Sequence, residues 1–491
     1  MDNNFSDLTL EVHNPGTGKI VGEVNLTTTA QLDDMLVRSS NIFSSWKQES
    51  VSSRSLLITK FRKKLISRID DLVDTVCDET GKKSFEALLE VFTSMDHLNH
   101  AIHLSKKVLK TQSRNSGFLK YKRARVTYEP FGIAGIISPW NYPLILSLSP
   151  VVEALLAGNC VVLKPSEHTP LSTAILKEVW DSLGDYNDVF QVVYGEGDLG
   201  QHLVSSQKTD IICFTGSTKI GRLIAIECAK NLKPAILELG GKDPMIVLGD
   251  AHLNRAVKAA VWGGMSNAGQ TCISVENIFV QKSIYPDFCK QISKLIKSMS
   301  AGSMKKNHIG PITISAGLKK INKQLGELPA STKKVMGITE DVSRFVAPTV
   351  VFDPPDDSLL CNDETFGPII TVTPFDTIED AIKKANSNGY GLSASVFGRN
   401  KNTTRKIASA LNSGSVVIND VLSGYGMADL PFGGKGISGL GRVHGKEGLL
   451  AFSHVKAITE NRITFPGEPW WYETSGKIEK LLKKFIRLWY G

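Results

Sequence analysis

The chain has 491 residues, of which 42% are hydrophobic and 22% charged, with a formal net charge of +8. That length accommodates two or three domains around a large core, and the composition excludes disordered and fibrous classes. The charge is too small for this length to indicate nucleic acid, and no apolar run reaches the roughly 18 residues of a membrane span.

The N-terminal MDNNFSDLTLEVHNP lacks the basic-then-apolar order of a secretory leader. Residues 31–112 read as helical: IDDLVDTVCDETGKKSFEALLEVFTSM carries apolar residues at helical spacing and an acidic polar face. Between His103 and Val126 the chain turns basic, and FLKYKRARVTYEP alternates as an exposed strand does. From Gly132 onward, short β-rich runs (IAGIIS, NCVVLKP, VFQVVYG, DIICFTG) alternate with helical segments such as PLILSLSPVVEALLAG. This texture predicts a parallel α/β sheet with right-handed crossovers. Such sheets bind ligands at the carboxyl ends of their strands, and polar residues gather there: Asn141, Lys164 to Glu167, and Gly216 with Ser217.

A second α/β block follows from about Gly241, with strand candidates PMIVLG, ENIFVQ, PIITVTPF, ASVFGR and SVVIND. Residues 299–345 read as loops and surface helix. PFGGKGISGLGR reads as a tight structural loop over the sheet, with Asn419 ordering the same region. In the tail, Ile478, Leu481, Leu482, Phe485, Ile486 and Trp489 form one helical stripe, and Lys477, Lys480, Lys483, Lys484 and Arg487 occupy the remaining surface. There is no internal repeat.

The seven cysteines (Cys77, Cys160, Cys213, Cys228, Cys272, Cys289, Cys361) contain no CxxC pair. That argues against a disulfide scaffold and a metal site, and for a reducing, cytoplasmic setting. Cys160 and Cys213 sit in apolar strands, where a thiol behaves as a small hydrophobe. Cys272, in SNAGQTCIS, has small polar neighbours, and a nucleophilic thiol must be reachable and partly ionised. On local sequence it is a candidate nucleophile or an ordinary loop cysteine. Glu238, where AILEL runs into a glycine pair, is a base or an acceptor for backbone N–H groups. Asn141, between Pro139 and Pro143, is a functional amide or a turn residue.

SPWNYP, LKPSEHTP, FTGST, LELGGK, NAGQTC, ETFGPI and PFGGKGISGLGR occur here in one order. Their spacing resembles the aldehyde dehydrogenase superfamily over roughly residues 10–460. HGKEGLLAFSH and the aromatic-basic tail look most similar to its class 3-like and fatty-aldehyde branch. The resemblance implies a Rossmann-like NAD-binding domain (1–111 and 131–240) and a second α/β catalytic domain (241–443). It also implies a small β oligomerisation or bridging element (112–130 and 444–465), an amphipathic tail (466–491) and a homodimer or homotetramer.

By the same resemblance, Cys272 matches the nucleophile, Glu238 the general base and Asn141 the oxyanion donor. Trp140, Gly216 and Ser217 match cofactor contacts, Ser217 at the pyrophosphate. Lys164 and Glu167 match the adenosine ribose site, Glu364 the nicotinamide-ribose acceptor and Phe366 a ring-packing residue. A carboxylate at the ribose repels a 2′-phosphate, so Glu167 favours NAD, with NADP still possible. GEGDLG (195–200) is only a near-match to a glycine fingerprint.

Tyr142 to Ser149, Trp262 to Thr271 and Val421 to Leu430 should line the substrate tunnel; Asp429 is their only charge. A semialdehyde calls for a cation there. Leu144, Ile145, Leu148, Leu422, Tyr425 and Met427 suggest instead an apolar passage for medium or long-chain, aromatic or isoprenoid aldehydes. A semialdehyde or coenzyme A-acylating dehydrogenase is the alternative, and Glu238 argues against the acylating one because its thioester must survive water. The basic amphipathic tail either packs on protein or makes peripheral contact with membrane.

Overall fold

The structure, a computed structural model, describes residues 9–339, 343–472 and 475–491, the side chain of Lys477 excepted. Residues 1–8 of the leader reading and the Lys477 side chain of the tail reading lie outside the described residues.

Four helices, Thr29–Trp46, Val51–Ile66, Ile69–Thr80 and Ser84–Val108, occupy the region whose periodicity predicts helix. The first starts on a capping box: Gln31 N–H donates to Thr28 Oγ1, and Thr28 N–H donates back to Gln31 Oε1. The third stops at Gly81, whose φ of 75° suits glycine. The fourth buries Ala87, Val91, Leu98, Ala101 and Ile102, spaced so that they share one helical face. An antiparallel hairpin, Thr9–His13 with Ile20–Asn25, precedes them and was not anticipated.

The predicted strands Ile133–Ile137, Cys160–Lys164, Phe190–Val192, Ile211–Thr215 and Ala235–Glu238 all form and pair in parallel. The sheet runs outward from Ile133–Ile137 through Cys160–Lys164 to Phe190–Val192. It then returns to place Ile211–Thr215 on the other side of Ile133–Ile137. A topological switch point therefore lies between the strands ending at Ile137 and Thr215. The loop PFGGKGISGLGR closes the sheet edge, as its glycines suggested: Gly439–Leu440 pairs antiparallel with Ala235–Glu238. Gly439 sits at φ 148°, and a Cβ there would stand 2.3 Å from the Leu237 carbonyl oxygen, so only glycine permits this approach beside Glu238.

The second sheet has seven strands in the order Lys334–Met336, Thr349–Phe352, Ile369–Phe375, Val275–Gln281, Asp243–Val247, Ser393–Phe397 and Ser415–Ile418. All pairs are parallel except the first. The mixed α/β class read from the sequence is the one observed. Asn419 corrects its expectation. It does not order the glycine loop; its side chain exchanges two 2.9 Å hydrogen bonds with the backbone of Gly398, at the end of the neighbouring strand.

The chain divides into two compact units, Met1–Leu109 with Glu129–His454, and Lys110–Tyr128 with Val455–Gly491. In the second unit, Gln112–Arg114 pairs antiparallel with the strand starting at Lys122. Glu468 is held there by Lys122 at 2.7 Å and by the Tyr121 hydroxyl at 2.5 Å, which fixes the segment leading to the terminal helix Ser475–Trp489.

Candidate active site

Asn141 follows Ile133–Ile137, Gly216 and Ser217 follow Ile211–Thr215, and Glu238 ends Ala235–Glu238. All four therefore come from the carboxyl end of the first sheet. Cys272 and the stretch Glu364 to Phe366 instead precede Val275–Gln281 and Ile369–Phe375, at the amino edge of the second sheet. Facing edges of two parallel sheets thus supply the site.

The Cys272 loop is tightly specified. Asn267 and Ala268 take left-handed conformations (φ 51° and 54°), held by bonds reaching well beyond the loop. Asn267 N–H donates to Glu86 Oε1 at 2.7 Å. The Gln270 side chain donates to the Pro311 carbonyl at 3.1 Å and accepts from Thr313 N–H at 2.9 Å. Asn141 is interlocked with it: its Nδ2 donates to the Gln270 carbonyl at 2.9 Å, and its own carbonyl accepts from Asn267 Nδ2 at 3.0 Å. That amide nitrogen has two hydrogens, so one remains.

Beneath Asn141 lies a fully buried ion pair. Lys82 Nζ donates to Glu90 Oε2 at 2.6 Å and to the Asn141 carbonyl at 2.8 Å, over the Tyr142 ring at 4.1 Å. Glu90 Oε1 accepts from Leu144 N–H at 2.9 Å. A second buried pair, Lys242 with Glu276, fixes the other wall, because Glu276 accepts from the backbone N–H groups of Thr365 and Phe366. Sequence reasoning missed all four residues. The signal was available for Glu90, an acid on the buried face of a helix, one turn after Glu86.

Glu238 is buried, and neither carboxylate oxygen receives an N–H or O–H donor. Burial raises it to about 8; the Cys272 thiol beside it counteracts this slightly, and the Glu364 charge adds to it. Cys272 corrects the expectation of partial ionisation. Burial first, and then the charges of Glu238 and Asp243, hold its thiol well above the ordinary value, so the resting group is S–H. Burial likewise raises Glu364 to about 7. Glu364 Oε1 accepts from Gly241 N–H at 3.1 Å.

Two cavities meet at Cys272. One, of about 260 Å³, is lined by Trp140, Asn141, Gly216, Ser217, Glu238, Cys272, Glu364 and Phe366. The Trp140 and Phe366 rings meet edge-on at 5.5 Å. Ser217 caps the helix Thr218–Lys230, so free N–H groups of the first turn gather beside it. Lys164 and Glu167 do not line this cavity. They stand together at the end of the adjacent strand, 3.7 Å apart, with Lys164 buried and Glu167 partly exposed.

The other cavity, of about 340 Å³, is lined by Tyr142, Ile145, Leu146, Trp262, Thr271, Val421, Leu422 and Tyr425, among others. Its charged lining residues are all acids: Glu86, Glu90 and Asp420; no Lys, Arg or His lines it among the described residues. Three expected lining residues are placed otherwise. Leu144 and Leu148 are wholly buried in the core below, and Met427 is exposed outside the lining.

The profile of the aldehyde dehydrogenase family matches residues 3–458. A 4,4'-diapolycopene aldehyde oxidase of Methylomonas sp is 33% identical over 486 residues, 98% of this chain and 92% of the relative. A Mycolicibacterium smegmatis protein provisionally named succinate-semialdehyde dehydrogenase (NADP+) is 34% identical, over 85% of this chain and 82% of its own. The crystal structure of an NAD-dependent aldehyde dehydrogenase from Sinorhizobium meliloti superposes with a TM-score of 0.89 at 30% identity, covering 95% of this chain and 93% of that one. The chain belongs to the aldehyde dehydrogenase family and is an enzyme of that class.

Replacing Lys82 by Met leaves Glu90 unpaired and the Asn141 carbonyl short of a donor. The expected loss is about 3–5 kcal/mol, the usual result of breaking a buried pair. Urea unfolding measures it; a loss under about 1 kcal/mol would show that the pair does not hold the loop.

Proposed function

We propose that the enzyme oxidises apolar aldehydes to carboxylic acids, with Cys272 as nucleophile, Asn141 as oxyanion donor and Glu238 as base. The observation that carries this reading is the position of Cys272 at the junction of two cavities, beside a carboxylate that has no N–H or O–H donor.

The thiol adds to the aldehyde carbon and its proton passes to Glu238, whose value of about 8 suits it to accept and release protons near neutral pH. The new oxyanion meets the free Asn141 N–H and the Cys272 backbone N–H; losing one such donor typically slows a reaction by about 10²–10³. The nicotinamide end of the cofactor would occupy the first cavity, with Trp140, Gly216, Ser217, Glu364 and Phe366 to hold it, and Lys164 and Glu167 beyond that cavity would meet the adenosine ribose. When bound, the cofactor supplies the hydride acceptor. Glu238 then takes a proton from water, hydroxide adds to the thioester carbon, the C–S bond breaks, and Cys272 recovers its proton from the nascent acid. Glu167 supports a preference for NAD, since a carboxylate there repels a 2′-phosphate.

The substrate class follows from the second cavity. Apolar and aromatic side chains line it, and acids are its only charged groups, which disfavours a carboxylate-bearing semialdehyde. The named substrate of the diapolycopene aldehyde oxidase points the same way. With purified enzyme and NAD, decanal is expected to turn over at least tenfold more efficiently than succinate semialdehyde, without coenzyme A. Cys272→Ala is expected to abolish activity, and turnover should rise with pH through about 8 as Glu238 loses its proton. A preference for the semialdehyde would reverse the substrate assignment; activity in Cys272→Ala would end the mechanism.

The C-terminal helix fits an anionic bilayer surface. Every described side chain from Glu479 onward is exposed, including Leu481, Leu482, Phe485, Ile486 and Trp489 on one stripe. Lys480, Lys483, Lys484 and Arg487 flank it, and each cation near an anionic headgroup contributes about 1 kcal/mol. No described helix is long and apolar enough to cross a membrane, so contact is peripheral. Deleting residues 475–491 is expected to abolish co-sedimentation with phosphatidylserine vesicles, and salt should weaken the binding of the full chain. If the full chain ignores vesicles and truncation changes only the oligomeric state, the stripe packs on protein.

A further inference from the structure

Twice in each catalytic cycle the proposed chemistry leaves a proton on Glu238, once from the thiol and once from water. A buried carboxylate must shed the first before it can take the second. Glu238 also lines a small cavity of about 10 Å³ that Cys272 does not line, shared with Tyr425 and His444. His444 also lines a second cavity of about 10 Å³, together with His97, Ser149, Glu153 and His100. Each volume is about that of one water molecule.

Several of the polar atoms around these spaces have no hydrogen-bond partner in the protein. Both Glu238 oxygens, His444 Nδ1, His97 Nδ1, Glu153 Oε2 and Ser149 Oγ are buried without an N–H or O–H partner. Buried polar atoms are ordinarily paired, by water if not by protein, so their convergence on two water-sized cavities marks two water sites. Other bonds fix the geometry around them. His97 Nε2 lies 3.0 Å from the Tyr425 carbonyl, which only accepts, so the hydrogen is on Nε2 and Nδ1 is an acceptor. The His97 and His444 rings meet at right angles, 4.3 Å between centroids. Glu153 Oε1 accepts from His444 N–H at 2.9 Å, which holds the residue in place and leaves its ring free. At the far end, the His100 ring is partly exposed and lies 3.1 Å from the exposed Asp429 carboxylate.

We propose that His444 and the two water sites form a proton exit leading from Glu238 to the surface at His100, with His97, Glu153 and Ser149 orienting the outer water. The inference rests on Glu238 being the base. A proton moves from Glu238 to the inner water as that water gives one to His444. The ring accepts at one nitrogen and releases from the other to the outer water, which passes a proton to His100 and on to solvent. No bond other than O–H and N–H changes. Burial keeps His97 near 4 and His444 well below the ordinary histidine value. Both rings are thus neutral at working pH, and His444 carries a proton only in passing.

His444 stands at φ 63° and ψ 167°, a conformation strained for any residue with a side chain, so asparagine keeps the same backbone cost as histidine but cannot relay a proton. His444→Asn is expected to leave the first-turnover burst of reduced cofactor at wild-type rate and amplitude. Steady-state turnover should fall at least tenfold, with a larger solvent deuterium isotope effect. His100→Phe alters only the part-exposed mouth and should slow turnover about threefold, restored by added imidazole buffer. A high-resolution crystal structure should show one ordered water in each cavity. Dry cavities, parallel loss of burst and turnover, or wild-type turnover in His100→Phe at low buffer would overturn the proposal. Adding His444→Asn to Glu238→Gln separates the two claims: if the exit serves Glu238, the double variant is no slower than Glu238→Gln alone. If instead Glu238→Gln turns over normally, the base assignment fails, whatever His444 does.

Discussion

Burying the Glu238 carboxylate without one conventional hydrogen-bond donor is the constraint on which the rest of the site depends. A carboxylate in that setting resists ionisation, and its rise to about 8 turns an ordinary acid into a group that exchanges protons near neutrality. The same burial raises the neighbouring thiol, so under the proposed mechanism Cys272 is unmasked as Glu238 takes its proton. In the proposed mechanism, nucleophile and base are therefore one coupled pair rather than two independent groups.

Holding such a pair in place falls to charges that are satisfied in full. Lys82 joins the helix Ser84–Val108 to the Asn141 turn through Glu90 and the Asn141 carbonyl. Lys242 and Glu276 do the same for the stretch from Glu364 to Phe366. On the sheet edge, Gly439 and Ser438 lock the end of the Glu238 strand: Leu239 N–H donates to the Ser438 carbonyl at 3.0 Å, and Ser438 Oγ donates to the Gly240 carbonyl at 2.7 Å. Polar atoms that hold the frame have partners. Those of Glu238, His444 and His97 that face the small cavities behind the site do not.

Much of this was legible in the sequence, for physical reasons. Short β-rich runs and period-3.6 patterns located the five parallel strands of the first sheet, five of the seven strands of the second and the helical N-terminal region, because each buries a face or a whole strand. Lys334–Met336, inside a stretch read as loops and surface helix, and Thr349–Phe352 were not anticipated. The polar residues after Ile137, Lys164 and Thr215 do gather at the carboxyl edge of the first sheet. What escaped was set by contacts distant in sequence. Lys82 to Asn141 spans 59 residues and Lys242 to Glu276 spans 34, and no local pattern announces either bond. The depth of the tunnel wall was misread at Leu144 and Leu148, since one helix turn decides whether a leucine faces a cavity or the core beneath it. Asn419 was assigned to the wrong neighbour because its partner, Gly398, lies on an adjacent strand.

The central claim is that Cys272 carries the acyl group and Glu238 releases it. Intact-mass and peptide analysis of Glu238→Gln, quenched in acid after mixing with decanal and NAD, tests it most directly. The expected result is one decanoyl group per chain, on the peptide that contains Cys272 and absent from Cys272→Ala. An unmodified chain, or an acyl group on another cysteine, would contradict the account.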